Sequence, residues 1–144
     1  MLEQGFQVEA TDAVFEIARK AEERIGIPVR VMRFDELNEV EVYDAVWAHA
    51  SLLHVPRSAL PEVLKRIFRA LRPGGFHFAN FKEGGSEGRD RFGRYFNYLT
   101  ASELTEIYLD SATWEIVATD HYIGGGYEGG QGPWGAITVR KSGL

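Results

Sequence analysis

Residues 43–82 read YDAVWAHASLLHVPRSALPEVLKRIFRALRPGGFHFANFK, and the fold class follows from their pattern. Ala45–Ala48 is a continuous apolar run, as expected of a strand buried on both faces of a parallel sheet. Leu60, Val63, Leu64, Ile67, Phe68 and Leu71 then recur at helical spacing. Ser58 precedes this helix as its expected N-cap. Pro61 falls in the first turn, where no internal hydrogen bond is lost. RPGG supplies glycines suited to a left-handed cap, and FHFANF follows as a strand. Strand, helix, strand in this order is the repeating unit of a parallel sheet.

The flanks extend the alternation. Phe6–Thr11 reads as a strand, and Val14, Ile17, Ala18, Ala21 and Ile25 share one face of a helix over 13–25. Gly26 and Pro28 end that helix, and VRVMRF is the next strand. DELNEVEVYD is acidic and irregular, hence a loop. On the other side, residues 84–99 show no period and read as one long loop, a place where function concentrates. Thr100-Ala-Ser-Glu103 is a capping box for a helix reaching about Ala112. WEIVATDHYI and WGAITVR are two last strands. The glycines between them (Gly124, Gly125, Gly126, Gly129, Gly130, Gly132) make a hairpin loop. A phosphate cradle would instead lie between a strand and a helix. The whole predicts one α/β domain over 1–144, with an open sheet that is mostly parallel and gains one antiparallel strand late.

Composition narrows the function. The net charge is −5 and no basic stretch is long, which argues against nucleic acid as partner. No run is apolar for long enough to span a membrane. There is no cysteine, so thiol chemistry, disulfides and thiolate metal sites are excluded, and the chain reads as a soluble cytoplasmic protein. The four histidines are scattered, and no metal constellation stands out.

Four stretches carry a likeness: GFQVEATD, YDAVWAHASLLHVP, LKRIFRALRPGGFHFANFK and EGRDRFGRYFNY. With the order of elements, they resemble class I S-adenosylmethionine-dependent methyltransferases, a Rossmann-like fold. The closest likeness is to the small enzymes labelled tellurite-resistance or type 11/12. The resemblance implies S-adenosylmethionine as cofactor and a small-molecule methyl acceptor. That family opens with a strand and a glycine-rich turn, E-x-G-C-G-x-G, and neither is found here. The expectation is therefore a domain lacking its first strand, with weakened hold on the methionine half of the cofactor.

The resemblance also implies site residues. Asp12, with Ala13 beside it, ends the first strand, where a carboxylate can accept from both ribose hydroxyls. The plain alternative is an N-cap for the next helix. Phe34, Asp35 and Glu36 follow the second strand, as residues flanking adenine would, or as an ordinary acidic loop. Ala48, His49, Ala50 and Leu53 follow the third, at the carboxyl end where ligands of open α/β sheets lie. His49 and His54 are the titratable groups there that suit a general base, His49 first. Arg89, Arg94, Tyr95, Asn97 and Tyr98 form a constellation suited to an anionic or planar substrate, or a solvated loop with anchoring aromatics.

Without a first strand, FQVEAT and DAVWAHA would be apolar edges able to pair with a second copy. Besides an enzyme, the pattern admits a non-catalytic relic of the fold serving in assembly. A nicotinamide-dependent oxidoreductase is disfavoured, because no G-x-G-x-x-G is present.

Overall fold

The computed structural model describes residues 6–12, 15–83, 88–89, 93, 95–125 and 131–143. They form two compact units, divided between Leu37 and Asn38.

The first unit is strand–helix–strand. Strands β1 (Ala10–Asp12) and β2 (Val29–Val31) pair in parallel, Asp12 opposite Val31, with helix α1 (Phe15–Ile25) between them in sequence. Both strands are shorter than their sequence runs. The expected helix face is only partly buried: Ala18 is enclosed, whereas Ile17 and Ile25 are exposed. Two strands within this unit cover only part of a helix face. Val14 lies outside the described residues. Polar contacts tie the helix to β2. Arg19 donates to the Val29 carbonyl at 3.0 Å, and Glu22 accepts from the Val29 N–H at 2.7 Å. Gly26, at φ +78°, closes α1 as expected.

The second unit holds a four-stranded sheet in the order β3 (Tyr43–Ala48), β4 (Leu71–Lys82), β8 (Gln131–Lys141), β7 (Trp114–Gly125). β3 and β4 are parallel, and β8 runs antiparallel to both its neighbours, which gives the single late antiparallel strand. Helix α2 (Leu60–Ala70) packs on β4 and on α3 (Ala101–Ser111), which also packs on β7. The α2 period proves to be a burial period, with Leu60, Val63, Leu64 and Ile67 enclosed. The capping box of α3 is formed, the Thr100 hydroxyl accepting from the Glu103 N–H at 3.2 Å and the Glu103 carboxylate from the Thr100 N–H at 3.2 Å. Inside the expected long loop, β5 (Gly88–Arg89) pairs with β6 (Tyr95–Phe96).

Three expectations are corrected. β3 is not buried on both faces: Trp47 is 56% exposed, stacked on Phe78 at 4.1 Å, and among the described residues the strand stands at the edge of its sheet, as expected of DAVWAHA. Ser58 is not the cap of α2: Ala59 takes that position with no side-chain bond, and Pro56 O accepts from the Ala59 and Leu60 N–H groups instead. RPGG does not cap α2 either. The helix passes directly into β4 at Leu71, and Arg72–Gly75 form an excursion between the pairs Tyr43–Leu71 and Ala45–Phe76.

The two glycines of that excursion do different work. Gly74 adopts φ +82°, a conformation that favours glycine. Gly75 does not take a positive φ, but it has no room for a side chain. A Cβ there would stand 2.9 Å from Arg72 O and 3.0 Å from Asp44 O, both rigid backbone. Gly75→Ala should therefore lower stability by about 2 kcal/mol through overpacking. A reduced urea midpoint with unchanged m-value would register it.

Candidate functional site

In the first unit, the parallel pairing brings Asp12 and the segment after β2 to one end of the strands. The Met32 N–H donates to Asp12 O at 2.9 Å, extending the ladder past Val31. Asp12 is half-buried there. Phe34–Glu36 form a short 3-10 turn, with Phe34 half-buried and both acids exposed. Arg33 donates to both oxygens of Asp35, at 3.2 and 3.3 Å, and Glu36 accepts from the Arg33 N–H at 2.8 Å. Ala13 lies outside the described residues.

In the second unit, β3 ends at Ala48, buried and paired with Ala79. The chain then turns. Ala50 adopts φ +49°, which costs a non-glycine residue about 1 kcal/mol. Its N–H donates to Oδ1 of Asn80, and Nδ2 of Asn80 donates to the Tyr122 hydroxyl at 2.9 Å. His49 is exposed on this turn.

Beyond the turn, Leu52–His54 form a second 3-10 turn. Leu53 is 1% exposed, so its side chain belongs to the core and not to a cofactor surface, and its carbonyl accepts from the Asn97 N–H at 2.7 Å. The exposed His54 ring donates through Nδ1 to Tyr95 O at 2.8 Å, since a carbonyl can only accept. In a neutral ring that bond fixes the tautomer, with the lone pair on Nε2. The ring also rests against Phe96, centroids 4.7 Å apart. Arg89 stands opposite Tyr95 in the β5–β6 pair and donates to Gly93 O at 2.7 Å. Thus His54, Arg89 and Tyr95, separate in sequence, come together. Arg94 lies outside the described residues.

Asn97 is corrected to an anchoring role. It is wholly buried, its Oδ1 accepts from Arg57 Nε at 2.8 Å, and its Nδ2 donates to Val55 O at 3.3 Å. Arg57 also reaches Tyr98 O at 2.6 Å and Glu103 at 3.0 Å, so it ties the 95–103 segment to the turn after β3. Those contacts help hold the Glu103 carboxyl below its ordinary range, after the larger effect of the Thr100 N–H and hydroxyl. The Tyr98 ring stacks on Phe96 at 5.6 Å. The sequence reading missed Arg57 and Asn80. A polar residue inside the apolar run FHFANF was a signal for Asn80, because buried polar groups require partners. Arg57 carried none.

Comparison with known proteins supplies the family. A family model described as a methyltransferase domain matches residues 1–75, more than half of the chain. The chain belongs to the methyltransferase-domain family. By that membership it is a methyltransferase. Solved structures agree on the fold. A SAM-dependent methyltransferase from Methanosarcina mazei superposes with a TM-score of 0.85 at 18% identity, over 96% of this chain and 84% of that one. The 1,6-didemethyltoxoflavin-N1-methyltransferase of Burkholderia thailandensis, solved with 1,6-didemethyltoxoflavin and S-adenosylhomocysteine, gives 0.77 at 26% identity, over 98% of this chain and 64% of that one. This chain thus spans less than two thirds of that relative's length. The [4+2]-cyclase SpnF gives 0.70 at 18% identity, over 95% of this chain and 66% of that one, so the fold alone does not name a reaction. No curated protein sequence matches the chain.

Within the first unit, a carboxylate ends β1, and an apolar ring and an acid follow β2. Within the second unit, taken by itself, small residues flank the turn after β3. These are the groups that ribose hydroxyls, adenine and a closely approaching ligand chain would need.

Proposed function

We propose that the chain methylates a small-molecule acceptor, with Asp12 holding the ribose hydroxyls and Phe34 and Asp35 meeting the adenine. Ala48 and Ala50 admit the cofactor close to the backbone. S-adenosylmethionine supplies an electrophilic methyl group on a sulfonium. The acceptor is held by Arg89, Arg94, Tyr95 and Tyr98, a set suited to a planar or anionic molecule. The observation that carries this reading is His54. Its Nδ1–H is fixed on Tyr95 O, next to Arg89, so Nε2 is free to take the proton that an acceptor hydroxyl or amine must lose. His49, exposed on the turn after β3, is the second candidate for that proton. The narrower likeness to tellurite-resistance methyltransferases belongs to this proposal. So does a cytoplasmic location, which the absence of cysteine favours. Among the described residues, no helix is long and apolar enough to cross a membrane. The edge strand β3 offers a route to a homodimer, visible as a doubled mass in sedimentation.

Calorimetry with S-adenosylhomocysteine tests the cofactor half, and a Kd on the order of micromolar is expected. No heat at millimolar ligand would defeat it. For the acceptor, a cell extract is incubated with the protein and methyl-labelled S-adenosylmethionine. Label should enter the low-molecular-mass fraction, and label confined to protein or nucleic acid would defeat the small-molecule reading.

A further inference from the structure

We propose that Asn80 is a positioning residue for the cofactor, acting through the turn after β3. The inference rests on the cofactor reading above. Asn80 lies on β4, one residue past the Ala48–Ala79 pair, and is 1% exposed. Ala50 holds a left-handed conformation that an alanine does not favour by itself. Its N–H finds its partner in Asn80 Oδ1. With that oxygen turned to Ala50, the amide nitrogen faces the other way, and the Tyr122 hydroxyl accepts from it. The Tyr122 contact therefore selects which end of the amide meets the turn.

Tyr122 is itself held from outside. Its ring lies nearly parallel to Trp134, 9° between planes and 6.3 Å between centroids. Gly124 makes this possible, because a Cβ there would stand 2.7 Å from the Trp134 ring. A chain of contacts thus runs from the β7–β8 hairpin through Tyr122 and Asn80 to Ala50. If the turn must be in this conformation to bind, the apparent Kd rises in inverse proportion to its population. Asn80 sets that population without touching the ligand.

The test compares Asn80→Leu, Asn80→Asp and Tyr122→Phe. Leucine has similar volume and makes neither bond. Aspartate accepts from both the Ala50 N–H and the Tyr122 O–H, so it restores both. Asn80→Leu should weaken S-adenosylhomocysteine binding about tenfold and speed Ala50 amide exchange by a similar factor. Asn80→Asp should recover both to within about threefold. A folded Asn80→Leu protein that binds like the parent overturns the proposal. Should that variant fail to fold, Tyr122→Phe decides: binding about threefold weaker, with faster Ala50 exchange, supports it, and parent-like values overturn it. Absence of binding by the parent would instead defeat the cofactor reading, and this inference with it.

Discussion

Acidification from pH 7 to 4 should remove about 3 kcal/mol of stability through His77 alone. This histidine lies on β4, wholly buried between the sheet and α3. Its Nδ1 donates to Val46 O at 3.0 Å, and its Nε2 accepts from the Tyr108 hydroxyl at 2.8 Å. Both nitrogens are thus satisfied in the neutral ring only. Burial lowers the pKa from 6.5 to about 4, against a smaller opposing effect of the Val46 carbonyl. Tyr108, equally buried, is pushed up and stays protonated, so it keeps donating. Between the two His77 values the unfolded chain binds a proton that the folded one refuses. Stability is therefore complete above pH 6.5 and falls by about 1.4 kcal/mol per unit until the folded ring titrates near 4. Urea unfolding across this range should show that slope, and His77→Gln should flatten it. Glu103 also titrates in acid, but it is common to both proteins and drops out of the comparison. Parallel profiles for the two proteins would show that His77 does not drive the loss.

What the sequence could reveal followed from how local each feature is. The α2 period and the α3 capping box are written within one or two turns of chain, and both stand in the structure. The end of α2 is not local. The glycines after it serve the approach of Gly75 to Asp44 on another strand, which helix-capping rules do not contain. The same holds for the site. Asp12, Phe34, Ala48 and Ala50 could be proposed as site residues because each ends or follows a legible strand. His54 gained weight only when Tyr95, 41 residues away, was found to fix its ring. Asn97 looked like a ligand residue, since an exposed and a buried asparagine read alike in sequence. Its burial and its bonds to Arg57 and Val55 come from folding the loop back on the turn after β3.

Asp12→Ala should weaken S-adenosylhomocysteine binding about a hundredfold. A carboxylate accepting from two adjacent hydroxyls makes two charge-assisted bonds, each worth about 1.5–3 kcal/mol. Removing both acceptors forfeits part of that sum, because the freed hydroxyls regain water. A loss near 2.7 kcal/mol is the middle of the expected range, about two decades in Kd. Asp12→Asn keeps one acceptor oxygen and loses the charge, so it should fall between, near tenfold. The strand is expected to survive, since the contact from Met32 N–H goes to the Asp12 carbonyl, which every substitution retains. The substitution also separates the two roles that an acid at this position can take. If Asp12 served only to cap the following helix, alanine would lower stability by about 1 kcal/mol and leave ligand affinity unchanged. If it holds the ribose, affinity falls by far more than stability does. Parent-like affinity combined with a lowered melting temperature would assign Asp12 to the helix and leave the ribose to another group.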